Sequence, residues 1–222
     1  MTSPAPTAVI VFGAGGHGRV VADVALQAGM HLAGFVDDNP ATRRSAHLPA
    51  PVLGDREWLQ SARREGWSVA LGVGDNYARR TIAQFLSVEG FDLVTLISPS
   101  ATISPSARIG IGTVVMPGAV INSMAVIGDG VIVNSGAVVE HDVCVGDFAH
   151  LSPHAALGGG AEVGELAHVA IGATVLPLIR IGARSILGAG SVAPNHIPND
   201  VVAFGVPARI RRDIALKLEQ EA

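Results

Sequence analysis

The sequence predicts two unlike halves: a small α/β unit with a parallel sheet over residues 1–100, then a β-helix of hexapeptide repeats over residues 101–195. Three observations carry this reading. Strand-like and helix-like segments alternate as far as residue 98, the pattern of a parallel sheet. From Ile103 to Leu187 every sixth residue is aliphatic, without a break. The 222 residues are 49% hydrophobic but only 4% aromatic, with 27 Gly. The core must therefore be built from small and branched side chains in many short elements, which argues against a helix bundle.

In the first half, Ala8–Phe12 is an apolar strand that runs into Gly13-Ala14-Gly15-Gly16-His17-Gly18. A helix is expected from Arg19 to Ala28, with Val20, Val21, Val24 and Ala25 on one face, and Gly29 stops it. His31–Val36 reads as a second strand, closed by Asp37-Asp38-Asn39-Pro40. Val69–Val73 reads as a third strand, Asn76–Glu89 as a helix and Phe91–Ile97 as a fourth strand.

In the second half, fifteen consecutive sixth positions are Ile, Val or Leu. The residue four further on is small or β-branched throughout, as at Ala107, Thr113, Ala119, Ala149 and Ser191. Each hexad makes one flat side with its aliphatic residue inward. Three sides make a coil of 18 residues, so the fifteen hexads give five coils, whose stacking buries a column that no single repeat could bury alone. The pattern stops at Ala193. Residues 196–222 are then expected to form a tail that leaves the β-helix, with a short helix over Asp213–Ala222.

Charge and targeting signals narrow the function. Fifteen Lys+Arg against 19 Asp+Glu give −4, and Lys217 is the only lysine, so no basic run is present to neutralise a nucleic-acid backbone. One cysteine, Cys144, rules out an internal disulfide framework and a cysteine zinc cluster; it is expected inside the prism or at an edge, without activation. Met1–Thr7 lacks a positive n-region, and no long uncharged apolar stretch suits a membrane span. A soluble cytoplasmic protein is expected.

Three constellations carry chemistry. The glycine-rich turn fits G-x-G-x-x-G between strand and helix, where backbone N–H groups approach a pyrophosphate. Asp37 and Asp38 follow about 20 residues later, placed to accept from ribose or base. A full dinucleotide fold needs two such halves, and about 90 residues hold only half of a Rossmann-type unit. A nucleotide diphosphate therefore suits the site better than NAD, with a merely structural turn as the remaining option. The second constellation is Glu140-His141-Asp142 at a hexad corner, where an acidic neighbour can orient a histidine base. The third is His150, His154 and His168. His150 and His168 lie one coil apart, which suits either a polar stack or the imidazoles of a metal-dependent hydratase. Near His141, a backbone N–H at Gly159, one coil beyond, is placed to serve as an oxyanion donor.

The stretches Val11–Gly18, Phe35–Asp38, Asn134–Asp142, Val145–Ser152 and Gly205–Arg209 together resemble bacterial nucleotide-sugar acetyltransferases, the sialic-acid, bacillosamine and perosamine group, with the perosamine N-acetyltransferases the best fit. The resemblance covers nearly the whole chain. It implies a left-handed parallel β-helix, a homotrimer and acetyl-CoA as co-substrate, with no metal. The acetyl-CoA would lie in a groove between neighbouring β-helices, lined by Gly159, Gly172, Ala189 and Gly190. His141 matches the catalytic histidine, with Asp142 and Glu140 as the carboxylates beside it. His150 matches a residue near the acetyl carbonyl, with Asn134 beside the sugar. Gly13, Gly15, Gly16, His17, Asp37 and Asp38 match the nucleotide-sugar region. Members often carry Gly near position 154, where this chain has His154. The expected reaction is N-acetylation of the 4-amino group of a nucleotide-linked amino sugar such as GDP-perosamine. The alternatives are O-acetylation of a sugar such as sialic acid, a metal-dependent hydratase or an NAD-dependent oxidoreductase.

Overall fold

A computed structural model describes residues 8–42, 48–62 and 67–214. The chain divides into two compact units, residues 1–99 and 100–222.

The first unit is a parallel sheet with helices. Its strands are β1 (Ala8–Phe12), β2 (His31–Val36), β3 (Val52–Gly54), β4 (Trp67–Leu71) and β5 (Asp92–Leu93), in the spatial order β3-β2-β1-β4-β5. The helices are α1 (Gly16–Gln27), α2 (Arg56–Ser61) and α3 (Asn76–Val88). β1 is buried on both faces, as a central parallel strand must be. The apolar face of α1 buries Val21, Val24 and Ala25. Asp55 and Asp75 cap α2 and α3, accepting from the backbone N–H of Trp58 (2.9 Å) and Ala78 (2.8 Å). The sequence reading missed β3 and α2. It also joined two short strands, β5 and Leu96–Ile97, into one.

Strand order reverses between β1 and β4, so the loops after those strands flank the crevice where open α/β sheets bind ligands. Glycine makes that edge possible. A Cβ on Gly18 would lie 1.8 Å from the Gly13 carbonyl oxygen, and one on Gly13 would lie 2.7 Å from the Gly72 oxygen. Gly15, by contrast, has open space at its Cβ position.

The second unit is a three-sided β-helix. Two-residue strands recur every six residues from Thr102–Ile103 onward, and each pairs in parallel with the strand 18 residues away. The hexad residues Ile121, Val139, Leu151, Leu157, Val169 and Leu187 are all buried, and so are the small residues between them. Cys144 is instead exposed: it occupies the outward first position of its strand, beside Val126 and Glu162 in the adjacent coils.

The C-terminal segment does not leave the β-helix as expected. Val192–Ala193 extends one sheet, Ile197 bridges to Ile181, and Val201–Gly205 pairs in parallel with Ile186–Leu187. Ile197 and Ala203 sit sixteen residues after their partners rather than eighteen, so this last coil is two residues short and escapes a search at period six. Ala208–Asp213 then turns back antiparallel on Val201–Gly205. Asp213 is therefore the end of a strand, and the rest of the expected helix lies outside the described residues. Among the described residues no helix is long and apolar enough to cross a membrane.

The glycine packing yields a paired test. Gly18→Ala is expected to destabilise the first unit by more than about 3 kcal/mol, through overpacking against backbone. Gly15→Ala should leave its melting transition unchanged. Thermal unfolding of the two purified variants checks the contrast.

Candidate active site

At the carboxyl edge of the first sheet, both aspartates meet donors of the chain itself. Asp37 fastens the glycine turn: its Oδ2 accepts from the Ala14 N–H (2.7 Å) and its Oδ1 from the Asn39 N–H (2.8 Å). Asp38 forms an ion pair with Arg56, accepting from Nε at 2.8 Å and from the Arg56 backbone N–H at 3.1 Å. Burial pushes the Asp38 carboxyl up, but hydrogen bonds and charge from Arg56 outweigh it and hold the group below the usual range. Both carboxylates are thus engaged by the chain's own donors. Asp38, Asp55, Arg56 and Glu57 line an open recess of about 390 Å³. Gly15 and Gly16 lie at the start of α1, where a helix N-terminus favours an anion.

Sequence reasoning missed Arg79. It is fully buried and donates to the carbonyls of Val73 (3.2 Å) and Gly74 (3.0 Å) and to Asn76 Oδ1 (2.9 Å). It thereby braces the loop after β4. Burial lowers its pKa to about 10, against the opposing charge of Asp75. His17 is half-buried with its Nε2 fully enclosed; burial first, and the Arg79 charge second, lower its pKa to about 4.

On the β-helix, His141 and Asp142 occupy one corner. His141 Nδ1 lies 2.8 Å from Asp142 Oδ2. A carboxylate only accepts, so Nδ1 carries the ring proton and Nε2 the lone pair. Both side chains are exposed. The ring lies over Gly159, where a Cβ would sit 2.6 Å from Nε2. Glu140, expected beside His141, turns away: its Oε2 accepts from Asn122 Nδ2 at 3.0 Å, one coil below. Asp142 is thus the carboxylate that orients the imidazole.

His150 belongs to a different sheet. Its Nε2 meets Asn134 Nδ2 at 3.1 Å, and its ring stacks on His168 at 4.8 Å between centroids, 8° from parallel. His168 Nε2 meets Ser152 Oγ at 2.8 Å. The two Nε2 atoms face different side chains, as in a polar stack. Among the described residues no group of three or more His, Cys, Asp or Glu could hold a metal ion. His154 packs its ring over Gly136 at a separate corner. Gly172 and Gly190 lie in that same corner column with open space at their Cβ positions, next to Ala189. A further recess, about 800 Å³, lies on the shortened last coil between Arg180, His196 and Asn199 and was not foreseen.

The expected residues therefore do not all meet in one chain. The corner of His141 and Gly159 joins the sheets of Val138–Val139 and Cys144–Val145. The third sheet, which carries His150, is the opposite side of the prism, and Gly172, Ala189 and Gly190 lie on another corner.

Known proteins share this architecture. Residues 8–86 match the family model of the PglD N-terminal domain. The structure superposes on PerB of Caulobacter crescentus, solved with CoA and GDP-perosamine, with a TM-score of 0.88 and 42% identity, covering 95% of this chain and 100% of that one. The acetyltransferase domain of PglB from Neisseria gonorrhoeae superposes with a TM-score of 0.87 and 38% identity, covering 92% and 100%.

The chain belongs to the nucleotide-sugar N-acetyltransferase family.

The β-helix of this acyltransferase family member is accordingly left-handed. Among curated sequences, the UDP-N-acetylbacillosamine N-acetyltransferase of Bacillus subtilis is 41% identical over 116 residues, 48% of this chain. The match spans about half the length of that enzyme, 50%.

His17 sets a pH dependence. Its folded pKa of about 4 lies below the ordinary 6.5, so the unfolded chain binds a proton that the folded unit rejects. Stability is full above pH 6.5 and falls as the pH drops from there through 4, by up to about 3 kcal/mol. Urea unfolding of the wild type and of His17→Asn across that window should show the slope flattening in the variant.

Proposed function

We propose that the protein transfers the acetyl group of acetyl-CoA to the amino group of a nucleotide-linked amino sugar, with the 4-amino group of GDP-perosamine the best candidate. The observation that carries this is the oriented His141–Asp142 pair on the β-helix of a chain that is 42% identical to an enzyme solved with CoA and GDP-perosamine. The glycine turn at the reversal of strand order supports a diphosphate ligand in the first unit.

The chemistry follows from the atoms. The neutral amine attacks the thioester carbonyl and forms a C–N bond. His141 Nε2 takes the proton that the nitrogen sheds. The C–S bond then breaks and the sulfur leaves, receiving a proton in turn. Asp142 holds the ring and steadies the imidazolium while it carries that proton. No acyl-enzyme is required, since Cys144 lies out on a strand face rather than at the His141 corner.

A homotrimer is part of the proposal. It is supported by the division of Gly159 and His141 from His150, Gly172, Ala189 and Gly190 around the prism, which a neighbouring copy can bring together. Exposed Ile111, Met124, Val126, Ile171 and Leu178 supply apolar surface for association. Residence in the cytoplasm is proposed alongside it, where acetyl-CoA and nucleotide sugars are drawn on.

Acetyl transfer assayed with GDP-, UDP- and dTDP-linked amino sugars tests the substrate. On the best of them His141→Ala should lower kcat about 10²–10⁴-fold with little change in KM, and Asp142→Asn should lower it less. A folded His141→Ala variant with near-native kcat would place the base elsewhere. Light scattering should give three times the 22.7 kDa chain mass; a monomer at working concentration would remove the shared groove.

A further inference from the structure

The His150 row contains residues that the acetyl-transfer scheme has not used, and it fixes its own protonation. The backbone N–H of Ser135 donates to Asn134 Oδ1 at 2.8 Å. A backbone N–H can only donate, so the Asn134 amide is oriented unambiguously: oxygen to Ser135, nitrogen outward. That nitrogen, Nδ2, lies 3.1 Å from His150 Nε2. An amide NH₂ can only donate. His150 Nε2 must therefore hold a lone pair, and the ring proton of the neutral imidazole sits on Nδ1.

A second contact fixes the plane of the ring. His168 follows His150 by one coil in direct register, and the rings stack at 4.8 Å and 8°. His168 is itself held by Ser152 Oγ. Along the same column the pair is bracketed by Ile132 on one side and Ile186 on the other.

We propose that Asn134 and His168 are positioning residues for His150: Asn134 sets its tautomer, His168 sets its ring plane, and together they withdraw His150 from proton transfer. His141 and His150 thus carry the ring proton on the same nitrogen, Nδ1, and differ in what meets the Nε2 lone pair. His141 gives its Nδ1–H to Asp142 and keeps a lone pair at Nε2 for the incoming proton. His150 has its Nε2 lone pair occupied by Asn134, so it orients rather than accepts. This rests on the acetyl-transfer reading for its catalytic consequence, but not for the tautomer.

The tautomer can be read without substrate. In the full-length protein labelled with ¹⁵N-histidine, two-bond ¹H–¹⁵N spectra at neutral pH, with His150 assigned through His150→Gln, should show a protonated Nδ1 and an unprotonated Nε2. Asn134→Ala should bring in the Nε2–H form. A native His150 found as the Nε2–H tautomer or as a cation would overturn the proposal, and an unchanged pattern in Asn134→Ala would overturn the part given to Asn134. Kinetics test the stack. His168→Ala should lower kcat about 10- to 100-fold with KM for both substrates and the melting temperature nearly unchanged. His168→Phe, which restores a flat ring, should recover most of the loss, whereas His168→Gln, which can keep the Ser152 bond but not the stack, should not. Native kcat in a folded His168→Ala variant would remove its positioning role. If the wild type acetylates none of the amino sugars, the functional reading fails while the spectra still decide the tautomer.

Discussion

The narrow interior of the β-helix is the constraint on which the rest of the second unit depends. Each hexad has room for one aliphatic and one small side chain, and these are buried almost without remainder from Val115 to Ala203. An unpaired polar side chain placed there would cost more than the packing returns. Polar groups are therefore sent to a corner or an outer face, except the hydroxyls of Thr113, Ser185 and Ser191, which take the small inward position and are each hydrogen-bonded to backbone. The backbone is committed as well, each strand giving its N–H groups to the coil 18 residues on. Contacts between functional side chains are then limited to sequence neighbours and residues about one coil apart. The pairs observed are of that kind: His141 with Asp142, Glu140 with Asn122, His141 over Gly159, His150 on His168.

The same constraint explains why His141 and His150 do not meet within one chain. A prism that keeps its interior dry cannot route a polar side chain from the His141 corner to the face of His150. The two imidazoles stay on opposite sides and acquire different partners, a carboxylate for one and an amide for the other. A carboxylate that accepts at Nδ1 leaves a base at Nε2, and an amide that donates to Nε2 removes one. Residue type alone would not separate these roles. The orientation of Asn134, fixed by a single backbone N–H, does.

The sequence was most legible where one physical task is repeated. The hexads could be read because each repeat meets the same narrow interior, and the run became unreadable at the coil that is two residues short, between Leu187 and Ala203. In the first unit β1 and β2 were legible as apolar runs ending at turns. β3 and α2 are too short to show a period. The candidate site was legible as residue types and not as partnerships. Asp37 looks the same in sequence whether it accepts from a ribose or fastens Ala14. Arg79 gave no signal, because a buried arginine on an amphipathic helix reads like any surface charge until its carbonyl partners are placed around it.

The choice of Asp142 over Glu140 shows how backbone geometry settles what composition leaves open. Successive side chains of an extended segment point to opposite sides, so a carboxylate before or after a histidine would ordinarily face away from it. Glu140, the residue after the strand Val138–Val139, obeys that rule and pairs with Asn122 instead. Asp142 escapes it because the corner turns there with φ 60°, in the left-handed region that aspartate tolerates better than most residues. The turn swings its carboxylate back to 2.8 Å from His141 Nδ1. Among the described corners with a non-glycine residue in this conformation, Asp142 alone follows a histidine. The carboxylate that orients the His141 imidazole is thus selected by the turn at the hexad corner, and a fold that keeps charged side chains out of its interior obtains a His–Asp pair from a backbone feature that its coils repeat.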